Sequence, residues 1–282
     1  MSGTLFVVAT PIGNLEDVTA RALRVLGEVA LIAAEDTRRT HHLLARYAIT
    51  TPTTSLHEHN EGRKLTGLVD RLRRGEDVAL VSDAGTPTIS DPGQRLVRAA
   101  IDAGIRVEPI PGASAIISAL AASGLIGQSF TFLGFPPVRS KDRKKWLVEL
   151  SAAGRLVIFF EAPHRIRRTL GEIRTMIGDV QVAVGRELTK VHEEFLRGSV
   201  SQVLEKLEEP VGELTVVLDC GHTTEIDPRV AASPGEMAAE LGRMTESSSV
   251  SKRAAIADLA RKHGLSTNDV YNSLEAAKKL VE

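Results

Sequence analysis

The sequence predicts an α/β fold: two helix-covered sheets followed by a small C-terminal helical segment. Short β-rich apolar runs alternate with amphipathic stretches, the pattern of strands joined by crossover helices. Loops of small residues recur immediately after the strand-like runs, where parallel α/β sheets bind ligands. The chain has 282 residues, 43% hydrophobic and 25% charged. That is globular composition, and a length beyond the usual single domain. The expected domains are 1–124, 125–222, a linker at 223–235 and a tail at 236–282.

The first group of strands is expected around 4–9, 29–34, 52–56, 77–82 and 106–110. Helices are expected between and after them near 15–27, 37–47, 61–74, 92–103 and 113–123. Leu65, Leu68, Val69 and Leu72 recur at helical spacing and support the third of these. A second α/β group starts near Ser129, with strand-like runs at 130–133, 156–160, 181–184 and 214–218. At least the first sheet should be partly parallel. The stretch from His222 to Gly235 is polar with two prolines and reads as a linker. Beyond it, Ile256, Leu259, Ala260 and His263 share one helical face. A turn at His263–Ser266 follows, Ser266 with Asp269 suggests a capped second helix, and Val270, Leu274 and Ala277 form its stripe. The pair resembles a helix-turn-helix. A small helical appendage fits as well, and the acidic Asp269 and Glu275 on the second helix favour it.

Bulk composition excludes several classes. Lys and Arg number 35 against 36 Asp and Glu, a formal charge of −1, so any nucleic-acid surface must come from local clustering. One cysteine, Cys220, excludes an intramolecular disulfide and a thiolate metal cluster. The N-terminus lacks a signal peptide's pattern and no apolar run approaches membrane-spanning length, so a cytoplasmic location is expected. His41-His42 and His57/His59 lack convincing zinc partners, and no metal is expected.

The most informative loop is Ser82-Asp83-Ala84-Gly85-Thr86-Pro87-Thr88-Ile89-Ser90-Asp91-Pro92-Gly93, after the run 77–81 and before a helix starting near Gln94. It should let a ligand approach the backbone and offer free N–H groups to an anion. It carries neither the dinucleotide nor the P-loop glycine pattern. Read as a plain loop, Asp91 would be the helix N-cap and Pro92 its first residue. Comparable loops follow two other strands: Thr10-Pro11-Ile12-Gly13-Asn14 and Pro111-Gly112-Ala113-Ser114-Ala115.

These loops form part of a longer series. It includes Ala9–Asp17, Ala34-Glu35-Asp36-Thr37-Arg38, Phe135-Pro136-Pro137 and Phe160-Glu161-Ala162-Pro163-His164-Arg165. Gly185-Arg186-Glu187-Leu188-Thr189-Lys190 and Gly212-Glu213-Leu214 complete it. The series resembles the tetrapyrrole-methylase superfamily of S-adenosylmethionine-dependent methyltransferases across roughly residues 4–220. The likeness is strongest to its branch that methylates a cytidine ribose 2′-hydroxyl in small-subunit ribosomal RNA. It implies two α/β domains with S-adenosyl-L-methionine in the cleft between them, and a homodimer. Donor contacts are expected from Pro11, Ile12, Gly85, Thr86, Ile89, Ser90, Ser114, Ala115 and Phe160, with Thr215 and Val216 added on the final strand. The family's frequent Gly-Asp-Pro is replaced by Gly85-Thr86-Pro87, so a carboxylate role there falls to Asp83 or to backbone groups.

Methyl transfer from a sulfonium needs alignment of donor, methyl and acceptor oxygen more than it needs a metal. A ribose hydroxyl is a weak nucleophile that a base would assist. Glu35, Asp36, Glu161 and Glu187 are candidates, but each lies beside an arginine and reads more readily as a structural ion pair, so the base stays unassigned. Arg38 and Arg39, then Arg139, Lys141, Arg143 and Lys144, then Arg165, Arg186 and Lys190, are expected to meet RNA phosphates. Two alternatives stay open: a methyltransferase for a small tetrapyrrole-like acceptor, and a nucleotide-sensing regulator that binds nucleic acid through its tail.

Overall fold

In the computed structural model, two five-stranded sheets form the body of the protein. The structure describes residues 2–153, 156–207 and 212–221, with Leu241, Met244, Ala255, Ile256, Leu259, Val270 and Leu274 beyond them. The chain divides into two compact units, Met1–Cys220 and Gly221–Glu282.

The first sheet holds β1 (Thr4–Val8), β2 (Leu31–Ala34), β3 (Thr53–Ser55), β4 (Val78–Val81) and β5 (Arg106–Ile110) in the order β3-β2-β4-β1-β5. Every pairing in it is parallel. Each crossover carries a helix: α1 (Ala20–Glu28), α2 (Thr37–Arg46), α3 (Glu61–Arg73) and α4 (Gln94–Asp102). Strand alternation distributes the apolar side chains over both faces. On one face Leu5, Leu31, Ala33, Val78 and Leu80 pack with Leu68, Leu72 and Leu96 of α3 and α4. On the other, Val8, Ile32, Ala34, Ala79 and Val81 pack with Val25, Leu26, Leu43 and Leu44 of α1 and α2.

The second sheet is mixed. It holds β6 (Phe130–Phe132), β7 (Leu156–Glu161), β8 (Gln181–Arg186), β9 (Glu194–Ser199) and β10 (Leu214–Asp219), ordered β6-β7-β10-β8-β9. Only β6 and β7 run parallel. Helices α6 (Ser140–Ala152), α7 (Ile166–Ile177) and α8 (Val200–Lys206) cover one face around Trp146, Leu150, Phe159, Leu170, Val203 and Val216. The other face meets α5 (Ala115–Ser123), the helix that follows β5. Ala119 packs there with Ile158, Ala183 and Val217. This helix, apolar nearly all round, follows the first sheet in the chain but packs on β7, β8 and β10 of the second.

Strand positions follow the sequence closely, but three details differ. Strand β9 carries Glu194 and Arg197 and lacks clean alternation; as an edge strand it needs no apolar face on both sides. The basic run after Pro137 is the first part of helix α6. Asp91 and Pro92 do not begin α4. Gly93 caps it at φ +111°, where a Cβ would stand 2.6 Å from Leu80 Cδ2.

In the second unit, Leu241, Ala255, Ile256, Leu259, Val270 and Leu274 are buried together. Both expected apolar stripes contribute to that cluster. The linker at 223–235, Ala260, His263, the turn to Ser266, the Ser266–Asp269 cap and Ala277 lie outside the described residues.

Candidate active site

Strand polarity gathers the site. In the first sheet the C-terminal ends of β1, β2, β4 and β5 share one edge, because all pairings are parallel. In the second sheet Leu214, at the start of antiparallel β10, pairs with Glu161 and Arg186 at the ends of β7 and β8. Loops from both edges line one cavity of about 550 Å³, within the range typical of small-molecule sites. Ile12, Gly85, Thr86, Ile89, Ser90, Ser114 and Ala115 line it from the first sheet, and Phe160 and Thr215 from the second.

Two expected contacts are not in that lining. Pro11 is buried. Val216 is fully buried among α6–α8, because the two-residue period that turns Thr215 toward the cavity turns Val216 away. Several lining residues escaped the sequence reading of the pocket: Phe130, Phe132, Phe135, Ile116, Ile117, Asp91 and Glu213. Most are distant in sequence from the glycine-rich loops and enter only through the second sheet. Phe160 stacks edge-on with Phe132 at 5.0 Å and lies 5.3 Å from Phe135, which is 54% exposed. This makes an aromatic wall with a free outer face.

The long loop after β4 is held in an uncommon shape. Thr10 and Gly85 exchange backbone hydrogen bonds of 2.9 and 3.0 Å, clasping the β1 and β4 loops. Gly85 adopts φ +77°, and Thr88 and Ser90 follow at +74° and +62°. Left-handed geometry is free for Gly85 but costs on the order of 1–3 kcal/mol each at the non-glycine Thr88 and Ser90, and such strain concentrates at functional sites. The Gln94 side chain donates to the Thr88 carbonyl at 2.9 Å and helps hold the turn.

Part of the expected anion cradle in this loop is occupied from within the chain. The Gly85 N–H is bonded to Thr10, and the first free amides of α4, Arg95 and Leu96, donate to the buried Glu61 carboxylate at 3.1 and 3.3 Å. The helix N-terminus that faces the cavity is that of α5. There the Ser114 hydroxyl accepts from Ile117 N–H at 3.5 Å, and Ser114, Ala115, Ile116 and Ile117 all line the space.

Carboxylates dominate the polar wall: Glu35, Asp83, Asp91, Glu161, Glu187 and Glu213, against Arg39 and Lys190. Glu35 is held above its ordinary range by burial, and its oxygen accepts the Asp83 N–H at 3.3 Å. Asp83 in turn accepts the Asp36 N–H at 2.9 Å and pairs with Arg39 at 3.5 Å. Burial pushes Asp91 up to about 6, with further repulsion from Glu35, Asp83 and Glu213.

The other base candidates are tied into structure. Asp36 caps α2 and bonds Arg38, which brings its carboxyl down to about 2. Glu161, with no exposed side-chain surface, meets Arg165 at 3.2 Å and the Thr169 hydroxyl at 2.5 Å. Glu187 is lowered by Lys190 at 2.9 Å and also accepts the Glu213 N–H.

The basic residues separate into four groups. Arg38, Arg139, Lys141 and Lys144 are exposed; Arg39 and Lys190 stand at the cavity. Arg165 and Arg186 are half-buried, the first bonded to Glu161 and the Pro136 carbonyl, the second paired with Glu194 at 3.0 Å. Arg143 corrects the expectation for its run. It is 4% exposed, its guanidinium bonded to Glu172 at 2.5 Å and Thr169 at 2.6 Å. Helical spacing places it on the same inward stripe as Trp146, Leu147 and Leu150.

Among the described residues, no three His, Cys, Asp or Glu side chains gather as a metal site, and no helix is long and apolar enough to cross a membrane. Known proteins match this arrangement. The chain is 43% identical over 272 residues to "Ribosomal RNA small subunit methyltransferase I" of Halalkalibacterium halodurans, covering 96% of this chain and 94% of that one. A protein of the same name from Thermotoga maritima is 49% identical over 218 residues, which cover 77% of this chain and 98% of the relative. Among solved structures, the methyltransferase CobJ has a TM-score of 0.60 at 19% identity, with 80% of this chain and 98% of that one covered. Uroporphyrin-III C-methyl transferase from Thermus thermophilus, complexed with S-adenyl homocysteine, has a TM-score of 0.56 at 15% identity, covering 77% and 97%. At those identities the structures speak for the fold alone. The family model described as "Tetrapyrrole (Corrin/Porphyrin) Methylases" matches residues 4–204, and with relatives above 40% identity over nearly the whole length, the chain belongs to the tetrapyrrole methylase family.

Proposed function

We propose that this protein is an S-adenosylmethionine-dependent methyltransferase that acts on the ribose 2′-hydroxyl of a cytidine in the 16S RNA of the small ribosomal subunit. The observation that carries the reading is the match over 96% of the chain to relatives named for small-subunit ribosomal RNA methylation. A ribosomal substrate puts the enzyme in the cytoplasm. The homodimer is part of the same reading, and sedimentation of the purified protein tests it.

The cavity fits the donor in shape and charge. A Cβ at Gly85 would approach Ile12 Cγ2 to 3.4 Å, so glycine there leaves room for close approach beside the loop backbone. The α5 N-terminus and Ser114 suit a carboxylate. Phe160 and Thr215 offer a flat apolar wall with one hydroxyl for the adenosine, and the acidic rim suits a cation. When bound, the donor supplies a methyl carbon activated by its sulfonium charge. The protein's residues hold the acceptor oxygen in line, exclude water and dispose of a proton. Exposed Arg38, Arg139, Lys141 and Lys144 orient phosphates without reading sequence. The outward face of Phe135 suits an unstacked base.

The runner-up acceptor is a small tetrapyrrole-like molecule. A regulator that binds nucleic acid through its C-terminal unit comes third. One substrate pair separates the outcomes. Small subunits carrying 2′-deoxycytidine at the target should bind with modest loss and accept no methyl group. Nucleoside mass analysis of the ordinary substrate should find the label on the ribose. Label on the cytosine ring, or undiminished transfer to the deoxy substrate, would sink the ribose assignment.

A further inference from the structure

The six carboxylates at the cavity are not equivalent. Glu161 is closed off by Arg165 and Thr169, and Glu187 is held by Lys190 and a backbone amide. Asp83 is shared between Arg39 and the Asp36 amide, and Glu35 accepts the Asp83 amide. Glu213 lies exposed to water. Asp91 is half-buried, and among the described residues neither a cation nor a backbone amide holds its carboxylate; the nearby Ser82 hydroxyl, which donates to the Ala84 carbonyl at 3.3 Å, favours its ionised form.

Its placement is fixed by the backbone on both sides. Ser90 precedes it in the left-handed region, and Pro92 follows, which disfavours helical backbone at Asp91. Gly93 then opens α4 against Leu80. A carboxylate without a neutralising partner, on a loop whose strained shape is set by the fold, is poised to take a proton.

We propose that the Asp91 carboxylate is the base that receives the proton of the ribose 2′-hydroxyl during methyl transfer, an inference that rests on the ribose reading above. The ribose oxygen forms its bond to the methyl carbon as the carbon–sulfur bond breaks, and that electron pair passes to sulfur. The hydroxyl proton passes to an Asp91 oxygen, and the O–H electron pair stays on the ribose oxygen. The sulfonium charge and the carboxylate charge are lost together, so the step balances.

The surroundings set the working range. Burial, then Glu35, Asp83 and Glu213, oppose ionisation of Asp91, while the Ser82 hydroxyl favours it. Of the two cations lining the cavity, Arg39 sits on Asp83 and Lys190 on Glu187, and among the described residues no histidine lines it. With its pKa at about 6, Asp91 is ionised at neutral pH and protonated below it, so the rate should fall as pH drops through that value.

Three measurements on the full-length protein test the assignment. Asp91→Asn should lower single-turnover methyl transfer about 10²–10⁴-fold while small-subunit binding and donor binding by calorimetry are retained. It should also abolish the acid limb of the rate profile. In the donor-free wild-type protein, the ¹³C carboxyl resonance of Asp91 should titrate near the pH of that limb. In Glu35→Gln, removal of a neighbouring negative charge should move both the resonance and the limb to lower pH. An Asp91→Asn enzyme that keeps its rate and its acid limb overturns the proposal. So does an Asp91 resonance titrating at the ordinary aspartate value of about 3.9, a result that needs no variant. An acid limb abolished by Glu35→Gln assigns the base to Glu35 instead. Failure of the ribose reading would show separately, as wild-type label on the base or on no RNA at all.

Discussion

At the scale of single residues, Gly85 and Arg143 show how neighbours decide what a side chain is for. Gly85 sits at φ +77° with its backbone clasped to Thr10, and its missing Cβ leaves the wall beside Ile12 open. A valine there incurs left-handed strain of roughly 1–2 kcal/mol and projects methyl groups at the bound donor. Gly85→Val should therefore weaken S-adenosylmethionine binding on the order of tenfold, read by calorimetry on a variant whose circular dichroism is unchanged. Unaltered affinity would remove Gly85 from the site. The glycine was legible because a small-residue loop after a strand has few other uses. Val216 was misread because resemblance identifies a strand, whereas the face of the strand follows from period-two geometry against a particular cavity.

At the scale of elements, helix α6 turns a run of charge into two different objects. Arg139, Lys141 and Lys144 face solvent, and Arg143 faces the core with Trp146, Leu147 and Leu150. Replacing Arg139, Lys141 and Lys144 with glutamine should weaken small-subunit binding and flatten its dependence on salt. The slope should fall by about 0.7 for each phosphate of single-stranded RNA that the variant no longer neutralises. Donor affinity should not change. Arg143→Gln should act on the fold instead. Removing one partner of a buried pair costs roughly 3–5 kcal/mol. The partial exposure of Glu172 and its second partner, Arg168, put this case at the low end, visible as a lower urea midpoint. A triple variant with wild-type affinity and salt slope would reduce the exposed run to a solvated face. The helix is hard to read in the sequence because a charged residue, Arg143, occupies a position on its inward stripe and breaks the apolar period.

At the scale of the whole molecule, the two units have separate cores. The Met1–Cys220 unit contains both sheets and every residue of the cavity, and Gly221–Glu282 has its own apolar cluster. The Thermotoga maritima relative is matched almost end to end by 218 residues. A variant truncated after Gly221 should therefore fold with the same donor affinity and keep measurable methyl transfer to small subunits. A truncated protein that folds but no longer binds donor would place part of the site in the C-terminal unit, and one that keeps donor binding and loses all transfer would give that unit a role in the acceptor.

Sequence alone determined the order and approximate ends of most strands, the small-residue loops beyond β1, β4 and β5, and the family those loops belong to. These features are local, since alternation, turn residues and motif spacing are properties of neighbouring positions. It also placed Ile256, Leu259, Val270 and Leu274 in apolar stripes that the structure buries together. Tertiary structure alone decided which amides were free and which carboxylates were paired. Glu61 reached α4 from another helix, Arg165 and Thr169 closed off Glu161, and Asp91 was left at the cavity with no cation among the described residues. Burial, and contacts such as that of Glu61 with α4, depend on groups tens of positions apart in the chain, and even the short-range pairing of Glu161 with Arg165 and Thr169 is sealed from water only by the packed fold.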